Sequence, residues 1–471
     1  MIPITEYAGK DVAVYGLGRT GLSAAKALKA GGARVHAWDD NEESRAKAEA
    51  AGIALSDINK RDWQTFAALV LSPGIPYKYP QPHRLVRMAE MTGVPVIGDM
   101  ELFARAVQAL PERARPKVVG ITGTNGKSTT TALIGHILKQ AGRDVRVGGN
   151  IGTGVLDLAA LHSNAVYVLE MSSYQLDLVK SLHCDVAVFL NLSPDHLDRH
   201  GGMDGYQAAK MRIFQNQTEK DVAVIGFDDI YSQSIAIGLA AKGPQHVVQI
   251  SSTYTLGKGI SAVDGRLYDN QSGKAEFVGK MDECPALLGR HNFQNAAAAF
   301  ATCRALGLDP GTIMAGLKSF PGLAHRMEAV GEIDGIRFIN DSKATNAQAA
   351  EQALRSFKNI YWIAGGVPKA EGILPLAPLF PNITKAYLIG QAEDAFAATL
   401  QGKVPNQVCG TLERALEAAH RDAKAAGEPG AVVLLSPACA SFDQFKDYEQ
   451  RGDAFRSLVQ GMTPVSFRVT A

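Results

Sequence analysis

Short apolar runs alternate with helical stretches along most of this chain, and that alternation restricts its fold more than any other feature. Residues 11–16, 34–38 and 67–72 read as strands, with a helix over 20–30 between the first two. The pattern resumes with strands at 117–122, 165–170, 185–191 and 221–226, followed by a long alanine-rich helix over 293–306. It resumes again with strands at 336–340, 359–364, 385–389 and 431–435. Two breaks separate the three series. Residues 109–116 carry two prolines and mixed charge with no apolar period, and 319–323 reads SFPGL. Three α/β units are therefore expected, at 1–113, 114–322 and 323–471, which suits a chain of 471 residues. The glycine-rich, short-stranded stretch 257–279 reads as a small antiparallel excursion.

Composition removes several function classes. A formal charge of +1 argues against nucleic acid or an anionic membrane as the main partner. With 46% apolar and 20% charged residues, sizeable cores are expected and global disorder is not. Cys184, Cys284, Cys303, Cys409 and Cys439 are odd in number and widely spread, with no CxxC pair. That argues against a disulfide framework or a cysteine-only zinc site and fits a reducing compartment. The start, MIPITEYAGK, has no apolar signal core, and no run approaches the ~18 residues of a membrane span. A soluble cytoplasmic protein is expected.

The sharpest local signal is GITGTNGKST at 120–129, between an expected strand and an expected helix over 128–141. Glycines let the backbone curl until successive N–H groups face phosphate oxygens, and the helix N-terminus adds partial positive charge. Lys127 suits the outer phosphates, and the hydroxyl of Ser128 or Thr129 suits magnesium. The common spacing GxxxxGK[ST] needs glycine at 121, where Ile121 stands; the shorter TGTNGKS supplies Gly123 instead. An ordinary glycine-rich turn is the plainer alternative, which the strand before and the helix after disfavour. Glu170 closes an expected strand, where a carboxylate suits a phosphate-bound cation. Taken alone it reads as a solvated carboxylate. His196 and His200 are four apart, a spacing that suits zinc on a helix, but no third histidine or cysteine is close in sequence.

GLGRTG at 16–21 follows a strand and opens a helix, and Asp39 ends the next strand. This is the dinucleotide fingerprint; read alone it points to NAD, to another nucleotide, or to a tight turn that binds nothing. NDSKATN at 340–346 and LSPACASFDQF at 435–445 each follow a strand, where ligands of open α/β sheets bind. Lys343 and Lys369 suit carboxylates there, with the hydroxyls of Thr345 and Ser441 giving orientation. Either lysine alone reads as a solubilising surface charge. Cys439 reads as a packed turn residue, not a nucleophile.

TGTNGKST, EMSSYQLD, NLSPDHLDRHG, AAK, GRHNFQNAAAA, HRME, NDSKATN and SPACASFDQF follow one another along all three units. In that order they resemble the Mur ligase family. NDSKATN with SPACASFDQF is most similar to the branch that adds D-glutamate, and the DNPR-type signature of the diaminopimelate- or lysine-adding branch is absent. The resemblance implies a Rossmann-like N-terminal domain for a UDP-substrate, a P-loop-type central ATPase domain, and a Rossmann-like C-terminal domain for the amino acid. It implies an ATP-dependent ligase that joins D-glutamate to UDP-N-acetylmuramoyl-L-alanine through an acyl phosphate, in peptidoglycan precursor synthesis. Such an enzyme takes small-molecule substrates and works as a monomer, with neither nucleic acid nor membrane as partner.

The same resemblance assigns residues. Gly18, Arg19, Thr20, Asp39 and Ser72 are expected near the uridine diphosphate, with Asn150 and Gln175 toward the sugar-peptide. Gly123, Thr124, Asn125, Gly126, Lys127, Ser128 and Thr129 are expected at the ATP phosphates, with Asn292, Arg326 and Asp341 also contacting ATP. Ser128, Glu170, His196 and Lys210 are expected to hold two magnesium ions, Lys210 as a carbamate; sequence alone reads that lysine as an exposed helix residue. Lys127, His196 and Lys210 form the catalytic set. Lys343, Thr345, Lys369, Ser441 and Tyr448 are expected to line the D-glutamate pocket, Tyr448 replacing the phenylalanine that the family pattern suggests. An acyl phosphate must be kept from water, so the third domain is expected to close about Pro321-Gly322.

Overall fold

The computed structural model of the chain describes residues 1–287, 289–370 and 372–462. The chain forms two compact units, Met1–Phe320 and Pro321–Ala471, dividing inside the break at 319–323. Residues 463–471 of the second unit lie outside the described set. No helix among the described residues is long and apolar enough to cross a membrane.

The first unit contains two sheets among its described residues. The smaller is parallel throughout, in the order Arg34–Trp38, Asp11–Tyr15, Phe66–Leu71, Val96–Ile97. Parallel strands are covered on both faces, which is why the inner strand DVAVY is almost wholly apolar and its residues Val12, Ala13 and Val14 are fully buried.

The larger sheet runs Glu276–Lys280, Arg266–Asp269, Ile260–Val263, His246–Ser251, Val222–Gly226, Val186–Phe189, Lys117–Thr122, Ala165–Glu170, Asp144–Gly149. Its pairings are parallel except the first two, which form the antiparallel excursion expected at 257–279. The strand Asp144–Gly149 escapes the sequence reading. It lies at the sheet edge, and its sequence DVRVGG has too few buried positions to show a strand period.

The helix Arg290–Ala305 packs against the helix Lys127–Gln140 through the buried run Ala296–Ala301 and Ile134, Ile137 and Leu138. Alanine side chains allow a close approach of the two helices. The approach sets Asn295 against Gly126 and brings Gln294 to Asn191, which is hydrogen-bonded to the loop.

The second unit holds a sheet in the order Glu328–Ile333, Ile336–Asn340, Val432–Leu435, Ile360–Gly365, Ile383–Ile389, Asn406–Gly410. Its first pairing is antiparallel and the others are parallel. Asn340 and Leu435 are partners in the ladder, so NDSKATN and SPACASFDQF leave the sheet side by side at its carboxyl end.

Candidate active site

The strand Lys117–Thr122 ends in a loop whose Gly123 and Gly126 have φ of 150° and 82°, where other residues are strained. A methyl group on Gly126 would also strike Asn295 Oδ1. The loop opens the helix Lys127–Gln140, which has no side-chain cap at Gly126. Such a start presents amide donors and partial positive charge to an anion. Lys127 folds back over the loop, its Nζ donating to the carbonyls of Gly123 at 3.0 Å and Thr124 at 2.7 Å. Ser128 is buried beside it.

Lys210 corrects the sequence reading. It lies on the helix Met203–Met211 but is only 1% exposed. Its Nζ donates to the same Gly123 carbonyl, at 2.7 Å, and sits 4.7 Å from the Tyr206 ring centre. Burial first, then the neighbouring Lys127, push this amine well below the ordinary lysine range. Two ammonium groups on one carbonyl repel each other, so the geometry favours a neutral Lys210 amine.

Glu170 pairs with Ile121 in the ladder and so stands at the sheet end beside the loop. It is 2% exposed, not the solvated carboxylate that a lone strand-end glutamate suggests. Its Oε1 accepts from Asn150 Nδ2 at 2.7 Å, while its Oε2 is buried without a hydrogen bond in the protein. His196 takes φ of 52° just before a short helix, and its half-exposed ring lies 3.4 Å from Asp195. His200 faces elsewhere: its ring meets Ser173 Oγ at 2.9 Å and Asp177 at 3.2 Å. The two histidines therefore do not form the zinc pair that their spacing suggests. Among the described residues, no group of three or more histidine, cysteine or carboxylate side chains is placed to hold a metal.

The glycine loop of the smaller sheet is dictated by close packing. A Cβ on Gly16, whose φ is 88°, would come within 2.6 Å of Ser72 Cβ, and one on Gly21 would strike the Gly16 carbonyl. Gly18 precedes the helix Arg19–Ala30, which Arg19 and Thr20 open without a side-chain cap. The carboxylate of Asp39 accepts from the amides of Leu17 at 2.6 Å and Asn41 at 2.8 Å. Arg19 reaches the loop that follows the strand Asp144–Gly149, donating to the carbonyls of Gly152 and Asn150, both at 2.9 Å. Gln175 is 2% exposed, and the protein occupies both ends of its amide. Oε1 closes a capping box with Ser172, and Nε2 donates to Asp99 at 3.2 Å.

In the second unit, Asp341 is buried, accepting from Ser436 Oγ at 2.8 Å and the Met327 amide at 3.2 Å. Burial pushes its carboxyl from an ordinary 3.8 up to about 7, with those hydrogen bonds and Arg326 opposing. Folding thus favours the protonated form. The stability this lends is whole below about 4 and is lost as pH rises toward about 7. Ligand-free Asp341→Asn is expected to lose less melting temperature than the parent between about pH 5 and about pH 8. Parallel melting curves for the two proteins would refute this account.

Lys343 Nζ donates to Tyr448 OH at 2.7 Å, so the hydroxyl added where phenylalanine was expected holds this lysine. Ser441 is buried and Thr345 half-buried, whereas Lys369 is exposed. Paired hydrogen bonds between Val367 and Ala440 draw the 367–369 segment beside Ser441. Cys439 is fully buried and its thiol is pushed up to about 12 by burial, as a packed turn residue should be.

Comparison with known proteins decides the family. Residues 10–98 match the Mur ligase MurD-like N-terminal domain, 121–303 the Mur ligase middle domain, and 325–439 the Mur ligase glutamate ligase domain. The chain belongs to the Mur ligase family. It is 57% identical to a UDP-N-acetylmuramoylalanine–D-glutamate ligase of Caulobacter sp. strain K31, over 98% of both chains. It is 51% identical to the protein of that name from Brucella abortus, over 99% of this chain and 98% of the other. The crystal structure of UDP-N-acetylmuramate–alanine ligase MurC from Thermotoga maritima shares the fold. Its TM-score is 0.57 at 17% identity, covering 96% of this chain and 100% of that one. The architecture is the three-domain α/β fold of Mur ligases.

In this Mur ligase the buried, unpartnered Glu170 oxygen lies at the sheet end beside the glycine loop at 123–126, an arrangement that fits a cation. Sequence reading passed over several supporting groups. Arg451, fully buried, joins the two loops of the second unit, donating to Ser342 Oγ at 3.0 Å and to the carbonyls of Ser342 at 2.8 Å and Cys439 at 3.1 Å. Asp99 and Asn191 are likewise unremarked in the sequence. Their signal is a polar side chain beside a motif, which without coordinates reads as surface.

Proposed function

We propose that this Mur ligase uses ATP to join D-glutamate to the L-alanine carboxyl of UDP-N-acetylmuramoyl-L-alanine, as a cytoplasmic monomer in peptidoglycan precursor synthesis. The observation that carries this reading is the convergence of Lys127 and Lys210 on one loop carbonyl, beside the buried free oxygen of Glu170. The names of relatives 51% to 57% identical over nearly the whole chain support it. The working domains in this reading are 1–113 for the UDP-substrate, 114–322 for ATP and 323–471 for the amino acid.

A carboxylate does not acylate an amine at neutral pH, because its oxygen is a poor leaving group. Transfer of the γ-phosphoryl group to the L-alanine carboxylate makes an acyl phosphate and ADP. The D-glutamate amine then attacks the acyl carbon, and phosphate leaves. Positioning and charge compensation dominate such a transfer. Lys127 lies against the loop and follows the charge onto the leaving ADP. Within residues 123–129, the amides that open the helix Lys127–Gln140 and the Ser128 and Thr129 hydroxyls face the phosphates. Asn292, Arg326 and Asp341 serve the rest of ATP.

Ser128, Glu170, His196 and a carbamate on Lys210 would hold two magnesium ions. When bound, magnesium supplies positive charge that screens the phosphate oxygens from the attacking carboxylate. The neutral Lys210 amine forms the carbamate by adding to carbon dioxide with loss of a proton. This places an anion beside Lys127, where a second ammonium would be repelled. At the other substrate, Gly18, Arg19, Thr20, Asp39 and Ser72 surround the diphosphate, with Asn150 and Gln175 toward the sugar-peptide. Lys343, Thr345, Lys369, Ser441 and Tyr448 receive D-glutamate.

Phosphate release, assayed with each substrate omitted in turn and with amino acids supplied one at a time, tests this reading. Release is expected only with ATP, the UDP-substrate and D-glutamate together. Release without the UDP-substrate, or equal release with another amino acid, would overturn it.

A further inference from the structure

The phosphate loop is gripped from behind by one residue. Asn191 follows the strand Val186–Phe189, and its backbone carbonyl accepts from the Thr124 amide at 2.9 Å. Its side chain then holds the next residue at both polar atoms. Oδ1 accepts from the Asn125 amide at 2.9 Å, and Nδ2 donates to the Asn125 carbonyl at 3.2 Å. This two-pronged grip works in one orientation only. Turned over, the carboxamide would set NH₂ against N–H and oxygen against oxygen.

What selects the orientation lies further back. Asn191 Nδ2 also donates to Gln294 Oε1 at 3.0 Å, and Gln294 Nε2 donates to Asp228 Oδ2 at 2.9 Å. Gln294 sits on the helix Arg290–Ala305 and is 7% exposed, so water does not readily replace these partners. Asp228 is anchored in turn by Ser251 Oγ at 2.6 Å, Ser252 Oγ at 2.8 Å and the Ser252 amide at 2.9 Å. Burial works against its charge, but these hydrogen bonds hold the carboxyl below its usual range. It is therefore a carboxylate, which accepts and never donates. An acceptor at that end forces the Gln294 NH₂ toward it. The Gln294 oxygen must then face Asn191, whose NH₂ must turn toward it, leaving Asn191 Oδ1 for the Asn125 amide.

We propose that Asp228, Gln294 and Asn191 form an orientational relay that sets the Asn125 peptide and, through it, the nucleotide affinity of the loop, with Gln294 as the positioning residue. The inference rests on the reading of this loop as the ATP site. It also explains the division of labour along the loop. The amides of Thr124 and Asn125 are committed to Asn191, so phosphate is received by the amides that open the helix Lys127–Gln140. On the other side of the loop, Asn295 Oδ1 accepts from Thr130 Oγ1 at 3.1 Å and closes the space beside Gly126. The curvature is thus held from two sides by one helix.

Two variants and one control test the relay, read by magnesium–ADP titration and by KM for each substrate. Gln294→Glu sets a second carboxylate against Asp228. Gln294→Met keeps the length and removes both hydrogen bonds. ADP affinity is expected to fall about tenfold in the first and about threefold in the second. KM for ATP should rise in step, while KM for D-glutamate stays at the parent value. Unchanged ADP affinity in folded Gln294→Met, or an equal rise in every KM, overturns the relay. Gln294→Met decides alone if Gln294→Glu does not fold. Lys127→Ala separates the two levels of the argument. If its turnover stays near the parental value, the loop is not the nucleotide site. If its turnover collapses while both Gln294 variants bind ADP normally, only the relay falls.

Discussion

Lys127→Ala is expected to leave turnover at or below about a thousandth of the parent, with the fold intact. The lysine lies on the loop by hydrogen bonds to two carbonyls, Gly123 and Thr124, that any residue would supply. Its removal therefore costs the structure little. What is lost is a positive charge, held in place beforehand, that meets the negative charge developing between the γ- and β-phosphates. Fixed donors of this kind act in a site from which water is excluded, where they count for more than in solution. Lys127→Arg should recover little, because a planar fork cannot take the place of a compact ammonium against one phosphate oxygen. Steady-state phosphate release and a melting curve on the same preparation check both halves of the statement. Near-parental turnover in folded Lys127→Ala would remove the phosphate-loop assignment.

Lys210→Ala should be nearly inactive and partly restored by short carboxylic acids such as formate or acetate. The reason is the environment of the amine. It is buried, it shares a carbonyl with Lys127, and its proton is held weakly for both reasons. A neutral amine can add carbon dioxide, and in the proposed reading the carbamate would supply an anionic oxygen for magnesium beside Glu170. An added carboxylate can occupy the space left by alanine and supply the same charge. Higher pH increases the neutral amine and so favours carbamate formation, provided that bicarbonate is present. Lys210→Arg, which cannot form the carbamate, should be as inactive as Lys210→Ala and resist rescue. If no acid restores Lys210→Ala, or if Lys210→Arg is active, the carbamate reading fails.

Both predictions concern residues that the sequence identified with very different ease. Lys127 stands inside a strand–glycine–helix motif whose geometry is local. The spacing of glycines, the following lysine and the helix start lie within a few residues and define the backbone curl by themselves. The same holds for GLGRTG, where contacts of Gly16 and Gly21 with Ser72 and the loop's own carbonyl require glycine. That motif reported a backbone shape and left the ligand open. Lys210 was different. Its helix carries no sequence mark of burial, and only the resemblance to a family drew attention to it.

His196 and His200 show the limit from the other side. Their spacing suits a zinc pair but lacks a third ligand nearby, and only the structure shows that one ring lies half in solvent while the other is held by Ser173 and Asp177. Gln175 is expected toward the sugar-peptide from the resemblance alone; only the structure shows that Ser172 and Asp99 hold its amide in place.

By itself, then, the sequence determined the alternation of strands and helices, the positions of the glycine turns and the phosphate-shaped loop. Each of these is set by interactions among near neighbours in the chain. Only the tertiary structure decided which polar groups lose their water and which face one another. The Asn191–Gln294 hydrogen bond spans 103 positions, and the grip on Asn125 spans 66. Contacts at that range depend on how sheets and helices stack. Burial, and with it the charge state of Lys210 and Asp341, follows from that stacking and has no local trace.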